Sequence, residues 1–140
     1  MRGTDQPCRM HEKTDVQKVD KLPSAPKFLS KFGKKIYRTQ GEVLLKLGVL
    51  NEINIGSFAM LCSEISKYIE LTMDLSNEGY TTVTLKGTFI NPKAKLASDA
   101  YKNAKTLSVE FGMTPASFAR IAAQFSKKKE ESQMDKYLNA

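Results

Sequence analysis

Apolar residues recur at helical spacing through most of this chain, and the points where the spacing breaks mark out its elements. Leu29, Phe32, Ile36, Val43 and Leu47 trace one face of a first helix, running from about Lys27 or Ser30 to Lys46, with Lys31, Lys34, Lys35 and Arg38 interleaved. Gly33 and Gly41 weaken that helix, each by about 1 kcal/mol relative to alanine in an exposed interior, and Gly48 is its expected stop. Asn51-Glu52-Ile53-Asn54 then offers a capping side chain and early acidic charge for a second helix, from about Ile53 to Asn77. One apolar stripe of this helix is Ile55, Phe58, Ala59, Cys62, Ile65, Ile69, Thr72 and Met73; Leu61, Tyr68, Leu71 and Leu75 extend onto a second flank. A helix apolar over more than one stripe needs cover on more than one side. That cover comes either from helices of the same chain or from a neighbouring subunit, whose expected contacts are Leu61, Tyr68, Leu71 and Leu75.

After Glu78-Gly79 the period changes. Tyr80-Thr81-Thr82-Val83-Thr84-Leu85 is rich in β-branched and aromatic residues, Lys86-Gly87 interrupts it, and Thr88-Phe89-Ile90 resumes it, which predicts a small β-hairpin or extended flap. Asn91-Pro92 restarts a helix, and Ala97, Ala100, Tyr101, Ala104, Leu107, Ser108 and Phe111 follow helical spacing. Phe111-Gly112 closes this third helix, because glycine takes the left-handed C-terminal conformation without steric cost. Thr114-Pro115 opens the fourth, whose apolar face is Phe118, Ile121, Ala122 and Phe125 and which continues through Lys127-Lys128-Lys129 toward Leu138. The predicted fold is mainly α, a four-helix core with a small β-hairpin or flap between the second and third helices. With no internal repeat, the pattern does not point to a solenoid.

Charge divides the chain further. Residues 1–35 hold nine Lys/Arg against four Asp/Glu, residues 36–85 three against six, and residues 86–140 ten against five, so the net charge of +7 is split as +5, −3 and +5. Two basic ends around an acidic centre point to a polyanion such as nucleic acid. Lys27, Lys31, Lys34, Lys35 and Arg38 recur at three- and four-residue steps, which places them along one side of a helix. Lys127, Lys128 and Lys129 form a second basic patch, and on the fourth helix only Ser117, Arg120 and Gln124 have side chains suited to hydrogen-bonding base edges. The 140 residues divide into a disordered basic leader (1–26), a helical domain (27–126) and a charged tail (127–140) in which Met134, Tyr137 and Leu138 form one short amphipathic turn.

Catalytic chemistry finds no footing. There is no GxxxxGK[ST] phosphate loop, the lone His11 lies in the leader, and neither Cys8 nor Cys62 belongs to a CxxC or His/Cys cluster, so no catalytic residue, cofactor or metal is expected. No apolar run is long enough to span a membrane and no signal sequence opens the chain, which predicts a protein of the reducing cytoplasm.

Pro26, Leu29-Ser30, Lys34 and Tyr37, then Leu47-Gly48-Val49-Leu50 with Glu52 and Asn54, resemble the opening helix and first turn of the short, all-helical phage terminase small subunits. Cys62 with Tyr68, Gly79, Asn91-Pro92, and Phe111-Gly112-Met113-Thr114-Pro115 with Ser117 and Arg120 complete the resemblance over about residues 26 to 123. The family commonly has tryptophan where Tyr37 stands, aspartate where Asn54 stands and often arginine where Phe118 stands. The resemblance implies a non-enzymatic subunit that assembles into a homo-oligomeric ring in the host cytoplasm and binds double-stranded viral DNA. It also implies recruitment of the large terminase subunit, which carries the ATPase and nuclease. The DNA-binding candidates are then Lys27, Lys31, Lys34, Lys35, Arg38, Arg120, Lys127, Lys128 and Lys129. Two other readings remain open from the residues alone: a helix-turn-helix regulator reading DNA with Thr114 to Phe125, and a helical adaptor with no nucleic-acid partner.

Overall fold

The computed structural model describes residues 19–138; the side chains of residues 128–133 and 135–138 lie outside the description, as do Cys8 and His11. Four helices follow in order: α1 (Lys31–Lys46), α2 (Ile55–Glu78), α3 (Pro92–Glu110) and α4 (Pro115–Leu138). Between α2 and α3 stand β1 (Thr81–Thr84) and β2 (Gly87–Ile90), paired antiparallel with Thr81 opposite Ile90 and Thr84 opposite Gly87. The fold is mainly helical with a hairpin where the period changed.

Each boundary has a local cause. Ser30 caps α1 by accepting from the Gly33 N–H at 3.3 Å, and Asn91 caps α3 by accepting from the Lys93 N–H at 3.0 Å, with Pro92 in the first turn. Gly48, Gly79 and Gly112 stop α1, α2 and α3 with φ of 70°, 86° and 69°, values that glycine reaches far more readily than any other residue. The start of α2 departs from the expected cap. Asn54 makes no side-chain bond to the helix; its Nδ2 donates to the Val49 carbonyl at 2.8 Å, and its Oδ1 accepts from the Asn51 N–H at 2.8 Å. The asparagine ties the loop to itself instead of capping α2.

The core is built by α1, α2 and α3 around Phe58, whose ring lies 5.5 Å from that of Tyr37 and 5.6 Å from that of Phe111. The face that α1 buries is not the expected Leu29-Phe32-Ile36-Val43-Leu47 stripe. It is Gly33, Tyr37, Gly41 and Leu44, together with Leu29 just ahead of the helix, while Phe32, Val43 and Leu47 are exposed. The two glycines were expected only to weaken α1, yet they let it approach its neighbours. A Cβ on Gly33 would stand 3.1 Å from Ser66 Oγ, and one on Gly41 would stand 3.1 Å from Phe58 Cε1 and 2.8 Å from a Leu22 methyl. Leu22 and Ala25, within the segment read as leader, pack against this core.

Two further expectations change. Leu61 and Leu75, expected to face a neighbouring subunit, are covered within the single chain, at 0% and 2% exposure. Packing within the chain accounts for this half of the second apolar flank of α2. Tyr68 stays partly exposed and pairs with Tyr101 of α3 at 5.7 Å, and Leu71 is half-buried. Nor does α4 join a four-helix core: among the described residues, none of α4 is part of the core cluster. It touches the rest through Ile121, whose Cδ1 lies under Gly112, and Phe125, whose ring edge lies beside Gly48, leaving Phe118 and Phe125 largely in solvent. Among the described residues, no helix is long and apolar enough to cross a membrane.

The glycine contact gives a direct test. Gly41→Val adds a branched side chain where Phe58 is already held between two rings, so the usual gain in helix propensity is outweighed by about 1–3 kcal/mol of overpacking. Urea denaturation should show a lower midpoint; an unchanged or higher one would mean that α1 does not approach Phe58 at this position.

Candidate nucleic-acid interface

With Leu29, Gly33, Tyr37 and Gly41 turned into the core, helical geometry presents the other side of α1 to solvent. Lys31, Lys34, Lys35 and Arg38 line one shallow depression of about 670 Å³ there, together with Phe32 and Thr39. Lys34 and Arg38 also border an adjoining cleft of about 500 Å³ whose other walls include Asp20, Leu22, Glu42 and Leu45. Lys27 is exposed just ahead of the helix. Among the described residues, the ion pairs are Lys67–Glu64, Lys93–Asp74, Lys93–Glu78 and Lys102–Asp99, and none involves a cation of α1. No described carboxylate therefore forms an ion pair with these cations, although Asp20 and Glu42 share the adjoining cleft with Lys34 and Arg38.

The remaining candidates sit on a different element. Arg120 and Lys127 are exposed on α4, and Lys128 and Lys129 continue the same helix with side chains outside the described residues. Phe125 of α4 comes beside Gly48, beyond the end of α1 remote from Lys31. From Arg38 to Gly48 is ten residues, roughly 15 Å of helical rise. The expected DNA-binding residues thus divide between two elements and are not gathered into one patch.

Ser117 leaves the group of base-reading side chains. It is 3% exposed, and its Oγ accepts from the Thr114 N–H at 3.2 Å while Thr114 Oγ1 accepts from the Ser117 N–H at 3.3 Å. The two hydroxyls stand 2.6 Å apart. This is a reciprocal capping arrangement with serine in the place that glutamate or glutamine usually takes. Its sequence signal was the three-residue spacing of Thr114 and Ser117 around a proline.

Elsewhere the titratable groups are structural. Burial pushes the Cys62 thiol up to about 12, which removes the thiolate that a nucleophile needs. Lys93 bridges Asp74 and Glu78 at the foot of the hairpin; its hydrogen bond, with a second from Asn91, holds the Glu78 carboxyl below its usual range. Among the described residues, no three of His, Cys, Asp and Glu come together as a metal site would require.

The family described as phage terminase, small subunit, matches residues 33–128, well over half of the chain and every core helix. The chain belongs to the phage terminase small-subunit family. Neither a curated protein nor a solved structure gave a match. The terminase match opens at Gly33, within the basic turns of α1, and takes in Lys34, Lys35 and Arg38; Lys27 and Lys31 precede it.

The capping role of Ser117 separates stability from recognition. Ser117→Ala should cost about 1 kcal/mol, since it removes one half of the reciprocal cap and leaves the half-buried Thr114 groups short of a partner. DNA affinity per folded molecule should stay the same. A stable variant with altered sequence preference in a binding assay would return Ser117 to the bases.

Proposed function

We propose that this chain is the non-catalytic small subunit of a phage terminase, which binds double-stranded viral DNA as a homo-oligomeric ring and recruits the large ATPase and nuclease subunit in the host cytoplasm to start genome packaging. Family membership supports the packaging role. The observation that carries DNA binding is the depression of Lys31, Lys34, Lys35 and Arg38 on α1, four cations without a carboxylate partner among the described residues. Lysine and arginine at such spacing match phosphates and read little sequence. Arg120 and Lys127–Lys129 on α4 form the second contact.

Assembly draws on apolar surface that the single chain leaves uncovered. On α2 that is Met60, Tyr68 and Met73, with Leu71 half-covered beside them; the hairpin adds Val83, Leu85, Phe89 and Ile90. So much exposed apolar side chain on one small chain marks an association surface, and head-to-tail contacts between copies close into a ring when the rotation permits. In this reading residues 27–126 are the folded unit, with Leu22 and Ala25 just ahead of it packed against its core. The end of α4, where Met134 is exposed, docks on the large subunit.

Two measurements test the proposal. Light scattering at tens of micromolar should give a mass well above the 15.7 kDa of one chain, and a monomer mass would end the ring. Lys31→Glu, Lys34→Glu and Lys35→Glu together, in protein that still assembles, should abolish most duplex binding at low salt. Wild-type affinity should fall with salt by about 0.9 log units per tenfold change for each phosphate neutralised. Unchanged binding by the triple variant would move the contact to α4.

A further inference from the structure

The hairpin leaves the core through one junction, where the last turns of α2 meet the first turn of α3. Asn91 is buried there at 7% exposure, and its bonds tie the two ends of the hairpin together. Its N–H donates to the Tyr80 carbonyl at 2.9 Å, its Nδ2 to the Gly79 carbonyl at 3.1 Å and to Glu78 at 3.4 Å, and its Oδ1 accepts from the Lys93 N–H at 3.0 Å. Two residues on, Lys93 reaches back across the junction to Asp74 at 2.9 Å and to Glu78. Asp74 and Glu78 stand four residues apart on α2, a spacing at which like charges repel, and Lys93 of α3 answers both. The start of α3 is thereby held against the last turns of α2, and the two strands depart from fixed points. Beyond this foot every strand residue is exposed, and among the described residues no hydrogen bond runs from residues 81–90 to a helix. Four residues of strand reach about 13 Å, so a rotation of about 10° at the foot displaces the tip by about 2 Å.

Closed assembly is sensitive to that angle. A head-to-tail contact makes a ring only when the rotation between copies closes on itself, and otherwise it makes an open filament. We propose that Lys93, bridging Asp74 and Glu78, is a positioning residue for assembly. It fixes the direction in which the hairpin presents Val83, Leu85, Phe89 and Ile90 to a neighbouring copy, so that one closed oligomer forms in place of a mixture of sizes. The proposal rests on the reading of the hairpin as part of the assembly surface and adds the residue that sets its direction. Exposed ion pairs contribute little to stability, which leaves the bridge free to act on geometry alone. Asn91 is a poorer probe of the same junction, because its side chain also caps α3 and its loss would disturb the fold itself.

Native mass spectrometry and sedimentation velocity on the full chain test it. Wild type should give one oligomeric mass. Lys93→Met keeps a long side chain but loses the bridge and leaves Asp74 facing Glu78. It should spread the protein over several masses, while helical content is unchanged and the thermal midpoint stays within about 3 °C of wild type. Lys93→Arg, whose guanidinium still meets carboxylates, should retain the single mass. Asp74→Asn leaves α3 untouched and should broaden the distribution in the same direction; it carries the test if Lys93→Met unfolds. A single wild-type mass in both Lys93→Met and Asp74→Asn overturns the inference and leaves the ring standing. So does wild-type assembly by the double variant Val83→Ser, Phe89→Ser, which would put the hairpin outside the interface. Unfolding of both bridge variants would make Lys93 a support of the fold and also overturn it. A monomer mass for wild type removes the ring itself, and this inference with it.

Discussion

Phe58 stands between the rings of Tyr37 and Phe111, at 5.5 and 5.6 Å, and the three residues come from α1, α2 and the end of α3. Aromatic pairs at such separations contribute beyond the area they bury. The arrangement also brings α1 close to the Phe58 ring: a Cβ at position 41 would stand 3.1 Å from Phe58 Cε1 and 2.8 Å from a Leu22 methyl, a crowding that glycine avoids. Once α1 is seated this way, its remaining faces are determined. Leu29, Tyr37 and Leu44 follow Gly41 inward, and Lys31, Lys35, Arg38 and Phe32 are carried outward. The basic platform is the reverse side of the glycine contact.

The sequence marked element boundaries better than it marked faces. Gly48, Gly79, Asn91-Pro92 and Phe111-Gly112 each force a local backbone event, so the ends of α1, α2 and α3 were legible to within a residue or two. Which side of a helix turns inward is a different question, because it depends on what lies opposite. On α1 the large apolar residues Phe32, Val43 and Leu47 outweighed Gly33 and Gly41 in the pattern, although close packing gave the contact to the glycines. On α2 the flank of Leu61 and Leu75 was visible, but periodicity does not distinguish cover by the same chain from cover by a partner. Folding supplied it from within for those two residues and left Tyr68 and Met73 uncovered. The basic candidates of α1 were legible as a set because a three- and four-residue step maps onto a helix whatever it packs against.

Charge follows the same division. The acidic centre of the chain is partly consumed locally: Glu64 meets Lys67 and the Asn103 amide, while Asp74 and Glu78 share Lys93 at the hairpin base. These exposed pairs contribute little to stability. Among the described residues, the ion pairs made by α2 carboxylates are with Lys67 of α2 and Lys93 of α3, and none is with an α1 cation. The local pairing of acids explains why a net charge of only +7 still leaves a concentrated positive surface on one helix.

The elements that the core does not hold share one property. The hairpin exposes both strands throughout, and a two-stranded sheet without a packed face is marginal alone in water. Its foot, however, is fastened, since Asn91 donates to the Gly79 carbonyl at 3.1 Å and its N–H reaches the Tyr80 carbonyl at 2.9 Å. Likewise α4 is fastened at its corner by Gly112 over Ile121 and by the Thr114–Ser117 cap, while Phe118, Phe125 and Met134 stay exposed along it. A rigid attachment bearing an unsatisfied surface is what association between chains requires: the attachment limits the ordering entropy lost on binding, and the exposed apolar area supplies the drive. The three-helix core therefore acts as a mount, fixing the direction in which the hairpin, α4 and the basic turns of α1 each project.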